Sequence, residues 1–515
     1  MDINLLQQTL VQLAGEAANP ELTTNSPHLP DTWKTLTTQS VSAPTVGNIQ
    51  ILLAYGNVGS DVIACMAVGL PWSNLLGEYH FGFTPQNKQM LPTSVMGDPQ
   101  GNSTILSLYA VAYNYLRSPA WDSLSYLNNT GVAGKPLYIT GMGLGGPLAQ
   151  IVALDFRPGQ KGPANQNIPF TSQPPSYAFS SGNIGTKDFQ SLYNQRVSEA
   201  YLVTAGSAAL PVDLFPSEPS GSASDFAPLG ASVPATAPVP QLYFTPWEVR
   251  DSVFYLKALG GTPQTFTASP TSIPNPSSGF SQALAFSLGK MTAMIYQQAM
   301  QPNTTGFPGT SPYVLVETID YAGSLIAGVF TNPNCVVIAF RGSVTFEEFL
   351  SWDAATSTAS TPYGQTVATG ANNVYYKDPN NSGTTLADQI KTQVAKYSDK
   401  KLYLTGHGFG GVLANMAAAD LTFNQTEPPP IKGIYTFGAN YWAGTAFSFT
   451  FNAKLGTVSY QVLRPQDKIA TALSSLPLFN PVDSIVVLNG TLKVPGDTSH
   501  SLSAYLSLLD PSRAI

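Results

Sequence analysis

The second half of the chain carries residue types that could move a proton beside a tight turn. A glycine-rich segment, residues 406–411 (GHGFGG), is followed by Asp467 and His500. A histidine that is oriented by an aspartate can take a proton from a nucleophile, and backbone N–H groups at a tight turn can hold the oxyanion that forms when a carbonyl is attacked. These residue types could therefore serve acyl transfer, although position 408 in the turn holds glycine and offers no nucleophilic side chain.

The same turn occurs a second time, earlier in the chain. Residues 135–155 match residues 400–420 without a gap at an offset of 265, and 12 of the 21 positions are identical. Gly143 and Leu144 of the first copy correspond to Gly408 and Phe409 of the second. Self-similarity of this length, with apolar runs in the same order around each copy, predicts a tandem duplication of a whole domain.

The elements that must position these residues follow from hydrophobic patterning. In the second copy, residues 402–405 predict a strand, residues 406–411 a turn and residues 412–421 a helix. Strand-like runs alternate with helical segments throughout both halves. This alternation predicts two α/β domains, each with a mainly parallel sheet and helices on both faces.

The predicted domains are residues 1–278 and 279–515. Residues 217–240 and 260–278 are rich in Pro, Ser, Thr, Ala and Gly, which favours loops or linkers. Helix-like segments at 4–17 and 281–298 open the two halves.

Two interpretations of the glycine motif compete. Both copies satisfy the dinucleotide-binding pattern G-x-G-x-x-G, which also requires an acidic residue at the end of the next strand. The next predicted strands, 176–180 and 434–437, do not end in an acid. A nucleophile elbow, a strained turn between a strand and a helix, is favoured instead. It predicts a positive φ at Gly143 and Gly408, a conformation that glycine adopts easily.

The second half resembles the class 3 (fungal-type) lipases of the α/β-hydrolase superfamily. Those enzymes carry Gly-His-Ser-Leu-Gly-Gly at the elbow, and this chain has GHGFGG. Residues 336–343 (VVIAFRGS) are similar to the family's strand that ends in Phe-Arg-Gly-Ser/Thr, and residues 435–439 (YTFGA) to the strand after the elbow. Trp352 and Asp353 resemble a Trp-x-x-Asp segment with altered spacing.

The resemblance implies a role for several residues of the second half. Asp467, which follows Gln466, and His500, with Tyr505 nearby, match the catalytic aspartate and histidine regions. Gly408 stands in the nucleophile position, and Ser343 with the Phe409 N–H corresponds to the oxyanion hole.

The first half departs further from the family pattern. Gly143 replaces the serine, Met142 the elbow histidine, and residues 68–70 (VGL) stand where Arg-Gly-Ser is expected. Ala208 aligns with Asp467, and no histidine lies between Gly143 and residue 278. Gly143 and Leu144 therefore predict a degenerate elbow without a triad.

Loss of the nucleophile decides the expected function. Removing the serine of a triad costs on the order of 10⁶ in kcat in a well-studied protease. The sequence therefore favours a catalytically inactive, lipase-like protein (a pseudoenzyme) that binds an acyl or lipid-like small molecule or a protein partner. Two alternatives stay open: weak ester hydrolysis in the second domain, with water activated by His500, and a structural role in a larger assembly.

Composition excludes several other classes. Charged residues are 10% of the 515 positions and the net charge is −7, so there is no basic surface that would attract nucleic acid. No run of about 18 apolar residues predicts a transmembrane helix. The first residues lack the basic and apolar segments of a signal peptide, so we expect a soluble protein that is cytoplasmic or exported by another route.

Cofactor and metal sites are not expected. Cys65 and Cys335, the two cysteines, lie in apolar runs and are predicted to be buried thiols without a disulfide. The four histidines lack the spacing of metal ligands; they are His28, His80, His407 and His500.

Overall fold

The computed structural model describes residues 1–18, 22, 29–30, 32–44, 46–70, 88–89, 91, 95, 103–128, 132–179, 181–205, 226–227, 229–235, 255–256, 259–260, 279–300, 310, 312–344, 348–353, 357–379, 382–465, 467, 470, 479–489 and 500–510. Within these ranges, no helix combines the length and the apolar character that crossing a membrane requires.

The chain divides into two compact units. Unit 1 comprises Met1–Val239, Val249–Gln264 and Val494–Thr498, and unit 2 comprises Pro240–Glu248, Thr265–Lys493 and Ser499–Ile515. The predicted boundary near residue 278 lies outside the described residues, so the domain limits 1–278 and 279–515 stay predictions.

Unit 1 is built around a seven-stranded sheet, with five helices among its described residues. Its strands are β1 (Lys34–Ala43), β2 (Gly47–Val58), β3 (Asp61–Gly69), β4 (Lys88–Gln89), β5 (Ile105–Leu106), β6 (Leu137–Met142), β7 (Ser176–Phe179), β8 (Gly185–Thr186), β9 (Ala200–Ala205), β10 (Phe226–Ala227) and β11 (Ala231–Ala235). Its helices are α1 (Ile3–Ala17), α2 (Ser107–Ser123), α3 (Ser125–Asn128), α4 (Gly145–Asp155) and α5 (Lys187–Arg196). The large sheet has the order β1-β2-β3-β6-β7-β9-β11, and β10-β8-β5-β4 form a small one.

Unit 2 contains a second seven-stranded sheet. Its strands are β12 (Val314–Tyr321), β13 (Ser324–Thr331), β14 (Cys335–Phe340), β15 (Thr358–Ser360), β16 (Thr366–Ala368), β17 (Lys401–His407), β18 (Ile431–Phe437), β19 (Ser459–Leu463) and β20 (Ser484–Val487). Its helices are α6 (Gln282–Met300), α7 (Thr369–Tyr376), α8 (Leu386–Lys396), α9 (Phe409–Phe423), α10 (Thr445–Leu455) and α11 (Leu502–Leu509), with a π-helix at Phe349–Asp353. The sheet order is β12-β13-β14-β17-β18-β19-β20.

The two large sheets share one pattern of strand directions. In each sheet the first three strands are antiparallel, and every later pair is parallel. The sheets are thus mixed and mostly parallel, as predicted, and this arrangement with flanking helices is consistent with the α/β-hydrolase fold.

Helices cover both faces of the unit 2 sheet because side chains alternate along each strand. Val337 and Ala339 of β14 belong to the buried cluster that contains α6 and α11. Their neighbours Ile338 and Phe340 belong to the cluster that contains α7, α8 and α9. The central strands are therefore buried on both sides, which explains their continuous apolar runs.

A buried aspartate at the end of the elbow helix occurs in both units. Asp155 accepts hydrogen bonds from Tyr113 Oη at 2.7 Å, Arg117 Nε at 2.8 Å and Trp121 Nε1 at 2.7 Å. Asp420 lies 2.8 Å from Lys391 Nζ and accepts from Tyr376 Oη at 3.2 Å. Each carboxylate links the elbow helix to neighbouring helices. The aspartate therefore has the same place in both units, although its hydrogen-bond partners differ.

Three local predictions need correction. Residues 231–235, predicted as loop or linker, form the edge strand β11, where Pro234 is tolerated because an edge position can lack a donor. The turn predicted over 406–411 is one residue long, because β17 extends to His407 and α9 begins at Phe409. Cys65 is buried, but Cys335 begins its strand and is only half-buried.

Candidate active site

The turn between β17 and α9 has the geometry of an elbow. Gly408 alone separates the strand from the helix, with φ 54° and ψ −126°, and its N–H donates to the Phe437 carbonyl at 2.9 Å. In unit 1, Gly143 has φ 54° and donates to the Phe179 carbonyl at 2.9 Å. The positive φ predicted at both glycines is confirmed. Leu144, which corresponds to Phe409 in the sequence repeat, directly follows Gly143 and is buried.

A second glycine in each turn lets the helix approach the strand. A Cβ atom added to Gly406 would lie 2.1 Å from the Gly410 carbonyl oxygen, and one added to Gly141 would lie 2.4 Å from the Gly145 oxygen. Such distances leave no room for any side chain. The G-x-G-x-x-G pattern thus reflects close packing of strand and helix, as a nucleophile elbow requires.

Asp467 and His500 form a buried pair in unit 2. His500 Nδ1 lies 3.0 Å from Asp467 Oδ1 and 2.9 Å from Oδ2. The same carboxylate accepts the Tyr505 hydroxyl at 2.5 Å and the Ala470 N–H at 3.0 Å. These four contacts fix the Asp467 carboxylate, and the carboxylate in turn orients the His500 ring through Nδ1. Gln466 lies outside the described residues.

The electrostatics of this pair keep the aspartate ionised. Burial alone raises the pKa of Asp467, but the charge and hydrogen bond of His500, with the bonds from Tyr505 and Ala470, lower it below the usual value. Burial and the neighbouring Asp467 charge raise the pKa of Tyr505. Tyr505 therefore stays neutral and donates to a charged carboxylate.

The other ring nitrogen of His500 faces the elbow. A Cβ atom added to Gly408 would lie 3.0 Å from His500 Nε2 and 3.6 Å from its Cε1. Because Nδ1 lies against Asp467, Nε2 is the ring nitrogen on the side of the turn. The structure thus brings together Gly408, Asp467 and His500, in the relative positions of a triad without its nucleophile.

Gly342, the residue before Ser343, lies close to the Phe409 nitrogen. A Cβ atom added to Gly342 would lie 3.3 Å from the Phe409 nitrogen, which places the loop that carries Ser343 beside the first N–H of α9. The Ser343 hydroxyl is hydrogen-bonded to Asp353 Oδ2, and Asn440 Nδ2 donates to Asp353 Oδ1 at 3.1 Å. The predicted oxyanion residue Ser343 thus follows a glycine that lies beside Phe409, and its hydroxyl is bonded to a carboxyl group.

The carboxyl group of Asp353 is buried, and its pKa is raised. Burial raises the pKa of Asp353 to about 7, and the hydrogen bond from Ser343 and the charge of His500 only partly oppose this. The group is thus poised to gain or lose a proton near neutral pH.

His407 connects the elbow to three other elements. Its Nε2 lies 2.8 Å from the His500 carbonyl oxygen and its Nδ1 lies 3.0 Å from the Tyr296 hydroxyl, which accepts the Gly342 N–H at 2.7 Å. Burial lowers the pKa of His407 to about 3, so the ring is neutral. Nε2 therefore carries the hydrogen, and Nδ1 accepts from Tyr296. This chain of bonds links α6, the Ser343 loop, the elbow and the segment before α11.

Gly438, which follows β18, allows the aspartate and histidine to meet. It has φ 55°, and an added Cβ atom would lie 2.7 Å from Asp467 Oδ2, 3.0 Å from Tyr505 Oη and 3.2 Å from His500 Nδ1. No side chain fits there without displacing the pair.

We expect Gly438→Ala to destabilise unit 2 by about 1–3 kcal/mol, because the backbone conformation is unfavourable for alanine and the buried hydrogen bonds are disturbed. Hydrogen exchange of peptides from β18 and α11 would measure the loss. Gly364→Ala is the control, since that glycine also has a positive φ but nothing within 4 Å of an added Cβ. An equal loss of stability in both variants would show that the positive φ alone causes the effect.

Unit 1 offers none of these partners among its described residues. Met142 is buried in the position of His407. Val68 pairs with Gly141 as Phe340 pairs with Gly406, so Gly69, and not Val68 as predicted, stands in the position of Arg341. Ala208, His28 and His80 lie outside the described residues.

Two residues of the site were missed by the sequence reasoning. Tyr296 lies in α6, which was predicted as a helix-like segment without a role in the site, and Asn440 directly follows the predicted strand motif. A tyrosine among the apolar residues of this helix was the one available signal for Tyr296, and nothing local marked Asn440.

No group of three or more His, Cys, Asp or Glu side chains is placed to hold a metal ion in the part of the chain that the structure describes. The site's chemistry is that of a histidine base, buried carboxyls and N–H donors.

The fold and this arrangement of elbow, histidine and aspartate are consistent with an α/β hydrolase. Residues 337–475, which lie in unit 2, match the family model described as lipase (class 3). The match supports the resemblance to class 3 lipases for this segment. No curated protein matches the chain.

Solved structures of fungal lipases are similar to part of the chain. A fungal lipase–inhibitor complex shares 20% identity over 43% of this chain and 88% of its own, with a TM-score of 0.34. The lipase of Rhizopus microsporus var. chinensis shares 15% identity over 47% and 86%, with a TM-score of 0.35. The native Rhizomucor miehei lipase propeptide complex shares 18% identity over 47% and 83%, with a TM-score of 0.34.

Proposed function

We propose that this chain is a catalytically inactive, class 3 lipase-like protein made of two tandem α/β-hydrolase domains. The second domain, with its remnant site, binds an acyl or lipid-like ligand. The first domain, with its degenerate elbow at Gly143 and Leu144, contributes scaffold only.

One observation carries this proposal: Gly408 stands at the elbow, opposite a histidine that is already oriented by an aspartate. The covalent route needs a hydroxyl at this position to attack the carbonyl while His500 takes its proton. Glycine supplies none. The groups that would recognise an acyl carbonyl, namely the Phe409 N–H and the Ser343 hydroxyl once it is released from Asp353, do not depend on the missing serine.

The alignment of His500 favours a second candidate, slow hydrolysis by water. His500 Nε2 would take a proton from a water molecule, hydroxide would attack the ester carbonyl, and the alcohol would leave with the proton returned by His500. A positioned base contributes only about 10²–10⁴ to such a reaction, far less than the complete triad. This candidate predicts turnover without a covalent intermediate.

We expect the purified chain to show no turnover of p-nitrophenyl butyrate or octanoate above the uncatalysed rate, and no labelling by a fluorophosphonate probe. The physical reason is that no serine lies at either elbow. Stopped assays of p-nitrophenol release and intact-mass spectrometry measure the two quantities. Labelling of any serine would contradict the proposal, and steady turnover that His500→Ala abolishes, without labelling, would establish the water mechanism instead.

A further inference from the structure

The geometry around Asp353 points to a pH-sensitive latch, made of Asp353, Ser343 and Asn440. The latch holds the loop that carries Ser343 closed while Asp353 bears a proton, and it releases this loop when Asp353 is ionised. The inference concerns the conformation of the loop, so it goes beyond the proposed function and holds whether or not a ligand binds.

Three segments that are distant in sequence meet at this carboxyl group. Asp353 ends the π-helix Phe349–Asp353, and its Oδ2 accepts the hydroxyl of Ser343, which lies in the loop after β14. Its Oδ1 accepts Asn440 Nδ2 at 3.1 Å, from the segment after β18. The loop of Ser343 is therefore tied to two other parts of unit 2 through a single group that can titrate.

The residues around Asp353 exclude water from it. Asp353 is buried, and the ring of the preceding Trp352 lies 5.5 Å from that of Phe409 and 6.0 Å from that of Tyr321. A Cβ atom added to Gly370 would lie 2.1 Å from the Trp352 carbonyl oxygen, so α7 packs directly on the end of the π-helix. Because a buried charge loses its hydration, this place favours either a proton on Asp353 or an opening that admits water.

No cation pairs with Asp353 among the described residues. Both of its side-chain hydrogen-bond donors are neutral, α7 has no charged residue, and Arg341 is held by Glu348 at 2.8 Å. The charge of His500 lowers the pKa of Asp353 and that of Glu348 raises it, but burial is the largest cause and raises this pKa to about 7. The closed loop therefore favours the protonated acid.

The direction of the pH response follows from the two states of the loop. In the closed loop the pKa of Asp353 is about 7, whereas in an open loop the hydrated carboxyl group returns towards the ordinary value of about 4. Closing thus binds a proton, so the stabilisation is fully present below about pH 4 and is lost as the pH rises through about 7. Between pH 6 and pH 8 the ratio of open to closed loops should rise about tenfold.

The test is hydrogen exchange of the full chain at pH 6 and pH 8, with each protection factor corrected for the intrinsic exchange rate at that pH. Peptides that cover residues 339–344, 348–353 and 438–442 should lose about tenfold in protection at pH 8, whereas peptides from β2 of unit 1 should not. Thermal melting would not separate this effect from that of Asp483, another buried acid, whose pKa burial raises to about 6. Equal protection of the three segments at both pH values would overturn the latch.

Variants assign the response to Asp353. Asp353→Asn removes the titratable group and should give the same protection at pH 6 and pH 8. Ser343→Ala removes a donor that lowers the pKa of Asp353, so the midpoint of the response, measured in steps from pH 5 to pH 9, should move above 7. This second variant tests the latch independently of whether Asp353→Asn folds.

Asp399→Asn is the matched control, because it makes the same change at an exposed position between α8 and β17. It should respond to pH as the wild type does. A wild-type response in Asp353→Asn, or a midpoint at or below 7 in Ser343→Ala, would contradict the latch.

Discussion

Gly408→Ser should turn unit 2 into an esterase, with p-nitrophenyl ester turnover on the order of 10⁴ above the wild-type chain. The estimate combines two magnitudes: a triad serine is worth about 10⁶ in kcat, and a misplacement of about 1 Å costs about 10². Misplacement is expected because the new Cβ atom lies 3.0 Å from His500 Nε2, so the imidazole must retreat by a few tenths of an ångström.

The backbone already has the required conformation. Gly408 adopts φ 54° and ψ −126°, and a serine there must carry strain of about 1–3 kcal/mol that glycine does not. Elbows tolerate this strain because the strand and helix on each side fix the turn. Reduced thermal stability should therefore accompany the gain of activity.

Two further variants decide the site assignment. Gly143→Ser places serine on an elbow with the same φ of 54°, but without a histidine–aspartate pair among the described residues of unit 1, and should show no activity. Gly408→Ser combined with His500→Ala should lose the gain, because nothing removes the hydroxyl proton. If the unit 1 variant is as active as the unit 2 variant, or if His500→Ala changes nothing, the assignment is wrong.

The sequence predicted the elbow well because its determinants are local. β-Branched and aromatic residues before the turn, glycines within it and an alanine-rich run after it each act over a few residues. The positive φ at Gly143 and Gly408 followed from the same segment. The pairing of Asp467 with His500 was a weaker inference, since chain order alone, through the family resemblance, suggested it.

Other features depend on contacts between distant segments, so no local pattern could reveal them. Tyr296 reaches His407 across 111 positions, and Asn440 reaches Asp353 across 87. The strand at 231–235 forms because β9 offers a free edge, and its Pro- and Ala-containing sequence gives no strong strand signal by itself. The composition of this segment is typical of a loop, but the segment forms a strand.

The remnant site does not need a serine to keep its shape. Asp467 is held by His500, Tyr505 and the Ala470 N–H, and His407 is held by Tyr296 and the His500 carbonyl. Because a buried polar group that loses its partner costs about 1–3 kcal/mol, each of these residues resists replacement on grounds of stability alone. The arrangement of Asp467, His500 and His407 can thus persist with glycine at position 408.

Arg341→Met should destabilise unit 2 by about 3–5 kcal/mol, because it leaves the mostly buried Glu348 carboxylate without its cation. Arg341 is fully buried and makes a two-point ion pair with Glu348, at 2.8 Å and 2.9 Å. It also donates to Ser324 Oγ and the Gly342 carbonyl, both at 2.8 Å, and to the Leu325 carbonyl. These bonds fix the start of the loop that carries Ser343.

A melting curve of the whole chain would mix the two units, so hydrogen exchange of peptides from β13 and β14 is the appropriate measurement, with peptides from β2 and β3 as the internal reference. Lys396→Met is the control for loss of a cation: its ion pair with Glu317 is 3.4 Å long and exposed, and is worth at most about 1 kcal/mol. Arg341→Met combined with Glu348→Leu should recover much of the loss, since an apolar pair avoids the unpaired charge. If Arg341→Met exchanges no faster than Lys396→Met, the buried ion pair does not hold the loop, and the position of Ser343 must be set by its bond to Asp353 instead.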